Sequence, residues 1–281
     1  MISFSKNTLK LLPIFLVLVL FTSSCKSQKS VVSKIEFRPV SFAEDCKKTG
    51  SSLKYNLPIV ETSNENSKNL EIIIVRKLLD NDVFLFLNDE NIGEIENKSL
   101  SNIIYKELGL AKVNCNSDDA LSTSIEVNHK IKLNNDGIIS LQFSIVTIQS
   151  NFEKFDININ YDINNQQELQ LLDIINEEGV NWILKESNLR IENIFEDFIS
   201  DYKIPEDDRE EVKNQSTEFD YKLSEESIKA SSFSLEKLEG VKGLRLDYDF
   251  PFDNRYVNML EKPNLFFSFE ELKTFLIKSE Q

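Results

Sequence analysis

Arg245, Asp247 and Asp249 fall two residues apart in GLRLDYDF, interleaved with Leu244, Leu246, Tyr248 and Phe250. On an extended chain that spacing puts the three charged side chains on one face and the apolar ones on the other. Two carboxylates so placed can act as an acid and a base, as in glycoside hydrolases, or ligate calcium. The same alternation describes the wet side of a half-buried strand, the commoner arrangement, and the three residues are candidates for a polar surface. His129, the only histidine, sits in the alternating run SIEVNHKIKL and reads as a strand residue rather than a base. Asp162 and Asp173 are possible ligands, but flanking a turn and opening a helix are ordinary roles for aspartate. Glu206-Asp207-Asp208 with Glu210-Glu211 lacks the alternating spacing of a calcium loop and reads as a solvated charge run. There is no Gly-x-Ser-x-Gly, no phosphate-cradling glycine loop and no His-Glu-x-x-His. No catalytic residue, metal or cofactor is assigned on this reading.

The cysteines speak to location. Lys6 and Lys10 precede the apolar run Leu11 to Phe21, and FTSSCKSQKS follows. This is the layout of a secretory signal, too short to span a bilayer as a helix. Thr22-Ser23-Ser24-Cys25 resembles a relaxed bacterial lipobox with Thr22 in place of the usual aliphatic residue. The resemblance implies cleavage after residue 24 and diacylglycerol on Cys25, a membrane anchor of two or three acyl chains; the alternative is cleavage nearby by an ordinary signal peptidase, with Cys25 incidental. Cys46 and Cys115 remain. In an oxidising compartment an even pair reads as one disulfide, closing a loop worth about 4 kcal/mol on the chain-entropy model. Free thiols are the alternative, and a metal site is disfavoured because neither cysteine has a Cys or His neighbour in sequence.

The formal charge is −15, and removing residues 1–24 takes away two lysines and no acid, leaving −17. Such a charge argues against nucleic acid or anionic lipid as a partner, since both require clustered Lys and Arg. It suits a cationic partner or simply stays soluble. Lys26 and Ser27 after the anchor do not resemble an aspartate retention signal, which favours the outer membrane, facing the periplasm.

The elements follow from periodicity. Residues 1–24 are the signal, 25–44 the tether and 45–281 the envelope domain, either one unit or two lobes of about 45–120 and 121–281. Lys34 to Phe42 and Ser51 to Glu61 read as extended, with Pro58 marking an edge or strand end. Ser67 to Leu79 and Ser101 to Leu110 read as helices. Ser124 to Leu133, a turn at Asn134-Asn135-Asp136-Gly137, and Ile138 to Ile148 form a hairpin. Phe152 to Tyr161 is a third strand before a turn at Asn164-Asn165. Val180 to Phe198 repeats at three and four as a long helix. Glu206 to Ser227 reads as a charged loop with a single helical turn, Leu244 to Phe250 and Leu265 to Phe269 as strands, and Phe269 to Ile277 as a closing helix. Strands adjoining strands across short turns indicate an α+β fold with a mixed, mainly antiparallel sheet and helices packed on it.

The run Tyr161 to Ile174, YDINNQQELQLLDI, resembles the extended-turn-extended signature of a bacterial extracytoplasmic domain family of unknown function. That family includes the ectodomains of RsiV-type, lysozyme-sensing anti-sigma factors and the non-catalytic part of a peptidoglycan deacetylase. The hairpin Asn135 to Ser140, the long helix, Phe233, Gly243 to Tyr248 and Glu270-Glu271-Leu272 follow the family's order, and the similarity spans about residues 50–278. Gln166 stands where the family has a turn glycine, which assigns the left-handed conformation to Asn164 or Asn165. Gln149 to Phe152 replaces a Gly-Gly-Ala-His loop, so ligand contacts through that loop do not carry over. Deacetylase chemistry does not carry over either, since it requires several histidines. The resemblance implies a lipid-anchored binding protein whose partner is a cationic, lysozyme-like protein or a cell-wall glycan. A glycan hydrolase using an Asp/Glu pair is the alternative.

Overall fold

Asp136 and Gly137 both take left-handed backbone conformations, φ 55° and 79°, which turns β3 (Ser124–Asn135) tightly into β4 (Ile138–Ile148). Positive φ at both central residues is the turn whose twist matches a right-handed hairpin. The computed structural model describes residues 34–46, 51–61, 65–81, 124–148, 152–230, 232–252 and 254–277, all within one compact unit, Val32–Gln281. β5 (Phe152–Asp162) continues the meander, and β6 (Gln167–Glu168) adds a short pairing to its end. β1 (Phe37–Cys46) and β2 (Ser51–Val60) complete a six-stranded sheet in the order β1-β2-β3-β4-β5-β6. Its one parallel pairing is β2 with β3, so the sheet is mixed and mainly antiparallel, and strands from both sides of residue 120 share it.

Pro39 stands opposite Pro58 in the β1–β2 ladder. The Glu61 N–H donates to the Glu36 carbonyl, and counting along the register from that pair puts the two prolines at a position where neither residue bonds across. β3 pairs with β2 only through Tyr55, so the missing N–H of Pro58 also leaves no bond unmade on that side. His129 continues the β2–β3 contact by other means, its Nδ1 lying 2.8 Å from the Asn56 carbonyl oxygen.

Alternation gives the six-stranded sheet two unlike faces. Leu141, Phe143 and Ile145 on β4 and Ile157, Ile159 and Tyr161 on β5 bury one of them against α1 (Glu65–Leu79) through Leu70, Ile74 and Leu78. The other face carries Ser140, Gln142, Asn158 and Asn160, and β7 (Phe233–Leu238) packs across β3, β4 and β5 there. β7 belongs to a three-stranded antiparallel sheet with β8 (Val241–Leu246) and β9 (Phe266–Ser268). The far side of that sheet buries Leu235, Leu244 and Phe267 against α3 (Glu177–Ser200), which follows the short α2 (Leu171–Ile174). Trp182 of α3 meets the Phe267 ring edge-on at 5.7 Å.

Besides the strand expected at Leu244 to Phe250, which ends at Leu246, three segments differ from their sequence-based expectation. Glu206 to Ser227 is not a loop with one turn: α4 (Glu206–Glu218) and α5 (Glu225–Ala230) occupy it and pack on α3. Three acids in the first turn of α4 complement the helix dipole, and Val212, alone buried on that helix, fixes it to the body. Phe269 to Ile277 is a series of turns that ends by pairing Leu276 with Ile175. In the turn after β5, Gln166 rather than Asn164 or Asn165 takes the left-handed conformation, φ 57°. The backbone N–H groups of Asn164 and Asn165 instead donate to Asp162 Oδ1 at 2.8 and 3.0 Å, which holds both in the turn. The expected helix at Ser101 to Leu110 lies outside the described residues. A last short helix, α6 (Asn254–Val257), precedes β9.

Candidate functional site

The polar face of the six-stranded sheet is buried where β7 crosses it, so each polar group there needs a partner. β7 supplies them from its backbone. The Leu235 N–H donates to Asn160 Oδ1 at 3.0 Å and to Ser140 Oγ at 3.1 Å, Ser140 Oγ donates to Asn160 Oδ1 at 2.7 Å, and Asn160 Nδ2 donates to the Phe233 carbonyl at 2.8 Å. Two residues along β5, Asn158 Nδ2 donates to Ser232 Oγ at 2.9 Å and to the Asp247 carboxylate. Burial pushes the Asp247 carboxyl above the usual aspartate range, against the opposing pull of the hydrogen bond from Asn158.

Beside this knot a cleft of about 290 Å³ opens along β5. Its walls include Lys77 and Asn81 from the end of α1, Asp156 and Asn158 from β5, Glu168 from β6, and Ser232 ahead of β7. On the other side of the knot Glu236 is buried and bound by two cations, Lys132 Nζ at 3.1 Å and Arg245 Nε. Lys132 lies on β3 and Arg245 on β8, so this triad ties the two sheets together. Burial pushes the Glu236 carboxyl up, but the hydrogen bonds from Arg245 and Lys132 outweigh it and hold the carboxyl below the usual range.

The three residues of the expected polar surface are therefore dispersed. β8 ends at Leu246, so only Arg245 lies on the strand. Arg245 is taken up by Glu236 and lies over the Phe266 ring at 5.6 Å. Asp247 turns to Asn158, whereas Asp249 is exposed and pairs with Lys262 at 2.7 Å. Asp247 and Asp249 are turned to these separate partners, and neither lines the cleft. His129 is half-buried in its strand, and Asp173 accepts from the Gln170 N–H at 2.8 Å as a helix-opening residue. The acids of Glu206 to Glu211 lie on α4. Among the described residues no three His, Cys, Asp or Glu side chains group to hold a metal. Cys25 and Cys115 lie outside the described residues, as does the side chain of Cys46 at the end of β1. The anchor and the disulfide therefore stand as expectations.

Asn158, Ser232 and Glu236 escaped sequence reading. A signal existed in FDININY, where isoleucines bury one face while Asp156, Asn158 and Asn160 occupy the other. A strand with asparagines on its second face can point either to water or to another layer of protein, and only the second sheet decides which.

No family model matches the chain, and no curated protein sequence matches it. Among solved structures it is similar to a member of the DUF3298 family from Bacteroides fragilis NCTC 9343, 14% identical with a TM-score of 0.48, over 89% of this chain and 96% of that one. It is also similar to a DUF3298 family protein from Pseudomonas aeruginosa PAO1, 12% identical with a TM-score of 0.49, over 88% of this chain and 95% of that one. Both are bacterial proteins.

Proposed function

We propose that this chain is a lipid-anchored bacterial envelope protein that captures a cationic protein partner without turning it over. The observation that carries the reading is where the charge sits. From Glu177 to Ala230, the residues of α3 to α5, there are sixteen carboxylates against seven basic side chains, a formal charge of −9 within one layer of packed helices. A field of one sign on one face draws an oppositely charged partner and orients it on approach. The resemblance to lysozyme-sensing ectodomains supplies the partner class, and the lipobox at Cys25 supplies the location.

Two measurements test this. Replacing Cys25 with serine is expected to move the protein from the membrane to the soluble fraction and to abolish incorporation of labelled palmitate. Cys25→Ser protein that stays membrane-bound and labelled would sink the anchor. Surface-plasmon titration of the mature chain against basic envelope-active proteins is expected to show association that slows steeply with salt while dissociation changes less, because screening acts over about 10 Å at 0.1 M. Absence of binding at low salt defeats the partner assignment.

A further inference from the structure

We infer that the tip of the β7–β8 hairpin seats its two exposed aliphatic side chains in the surface of the bilayer that holds the anchor. The inference rests on the lipid-anchored reading and adds a second point of contact, on a part of the chain other than the acidic helices.

Strand register makes the tip two-sided. Leu238 lies directly opposite Val241, and Lys237 opposite Lys242, so the aliphatic pair shares one face of the hairpin and the lysine pair the other. Glu239 and Gly240 between them both take positive φ, 50° and 91°, which closes the hairpin as a tight turn. Leu238 is 38% exposed and Val241 49%. A lone exposed aliphatic residue needs no explanation. Two on one face of an exposed turn, backed by lysines whose stems lie along lipid while the ammonium stays in water, suit a bilayer interface. Charge does not select the lipid, because Lys242 is taken by Asp136 and Lys237 is offset in formal count by Glu239. A zwitterionic surface therefore serves.

The tether decides which apolar surface meets that lipid. Asp136 lies two residues beyond Asn134, whose side chain holds Ile35, so the hairpin tip and the exit of the tether are at one end of the six-stranded sheet. Only ten residues separate Cys25 from Ile35, a reach of at most roughly 35 Å. Ile148 and Phe152 are a more exposed pair, 47% and 67%, but Ile148 is paired with Ser124 at the far end of β3. That end is ten strand residues from Asn134, roughly 33 Å, so lipid contact there demands a tether pulled almost straight. Contact at the β7–β8 tip leaves the tether slack.

NMR of the mature chain in phosphatidylcholine nanodiscs tests this. Cys25, as the N-terminal residue, is joined to a phospholipid thioester by native ligation, which spares the internal cysteines and supplies the anchor whether or not the cell does. With a nitroxide-labelled lipid in the disc, the methyl signals of Leu238 and Val241 and the amide signal of Gly240 are expected to be lost, while the methyl signal of Ile148 persists. Leu238→Gln combined with Val241→Thr, both at exposed positions, should leave the melting temperature unchanged and restore the Gly240 signal. Persistence of the Leu238 and Val241 signals in wild type, equal loss at Ile148, loss that appears only when anionic phosphatidylglycerol is added, or a Gly240 signal still lost in the double variant would each overturn the inference. Cys25 found unlipidated in cells removes the anchor reading and the premise of this one with it, whereas an untouched hairpin tip in the ligated protein overturns this inference alone.

Discussion

Glu236→Ala is expected to lower unfolding free energy by about 3–5 kcal/mol, the usual loss when one member of a buried ion group is removed and its partners stay. Lys132, half-buried, loses the carboxylate it bonds and keeps only the longer-range attraction of Asp247, and Arg245 loses the group that holds its guanidinium over Phe266. Replacing all three with apolar residues of similar volume should cost far less, since the cost lies in the stranded charge rather than in losing attraction. The folded carboxyl lies below the ordinary glutamate range, so in that window the unfolded chain binds more protons and stability rises with pH. The contribution is complete above the unfolded value and is lost as pH falls through the folded one. Urea melts of both variants at neutral and acidic pH check this, and a single-variant loss below about 1 kcal/mol would show that the triad does not hold the sheets together.

Gly243→Ala should also be strongly destabilising, for a reason of space rather than charge. Gly243 is at the centre of β8, paired with Glu236 on one side and Ser268 on the other. A methyl group there would run into the Phe267 carbonyl and come within 2.6 Å of the Phe266 ring. The obstructing atoms include β9 backbone, which cannot rotate aside, so the strand must move or the pairing must break. Overpacking of this kind costs about 1–3 kcal/mol or more, and the loss of Phe266 from under Arg245 adds to it. Gly240→Ala is the control: open space surrounds its Cβ, so any loss there comes from its left-handed backbone, φ 91°, and not from a clash. Equal stability of wild type and Gly243→Ala in thermal melts would refute the steric account.

What could be read in advance followed the periodicity of the chain. SIEVNHKIKL, Asn-Asp-Gly and IISLQFSIVTI yielded a hairpin because period two and a turn needing positive φ are local properties of the backbone. The long helix at Val180 to Phe198 was equally legible, since its apolar stripe repeats over many turns. α4 was not, because EDDREEVKNQSTE has one buried apolar residue, Val212, and a helix otherwise held by polar contacts, Arg209 to the Ile199 carbonyl and Asp208 to Arg255, leaves almost no apolar period to detect. The dispersal of Arg245, Asp247 and Asp249 was illegible for a related reason. Alternation predicts the face a residue takes only while the strand lasts, and β8 ends at Leu246. The knot around Asn158 depends on contacts 74 and 89 residues apart in the chain, and no local pattern encodes those.

Among the described residues, the first one bonded into the fold also sets a leash. Ile35 exchanges hydrogen bonds with the side chain of Asn134, its N–H donating to Oδ1 at 3.1 Å and its carbonyl accepting from Nδ2 at 2.6 Å. A thioether at Cys25 would leave ten residues before that point, a maximum reach of roughly 35 Å at full extension. The domain would then hang within about one protein diameter of the lipid surface, sampling partners in a thin shell instead of the whole compartment. Within that shell its acidic helices would be repelled from anionic headgroups whenever they came nearer than a Debye length of about 8 Å, a bias that turns the charged face outward and keeps it open to arriving cations.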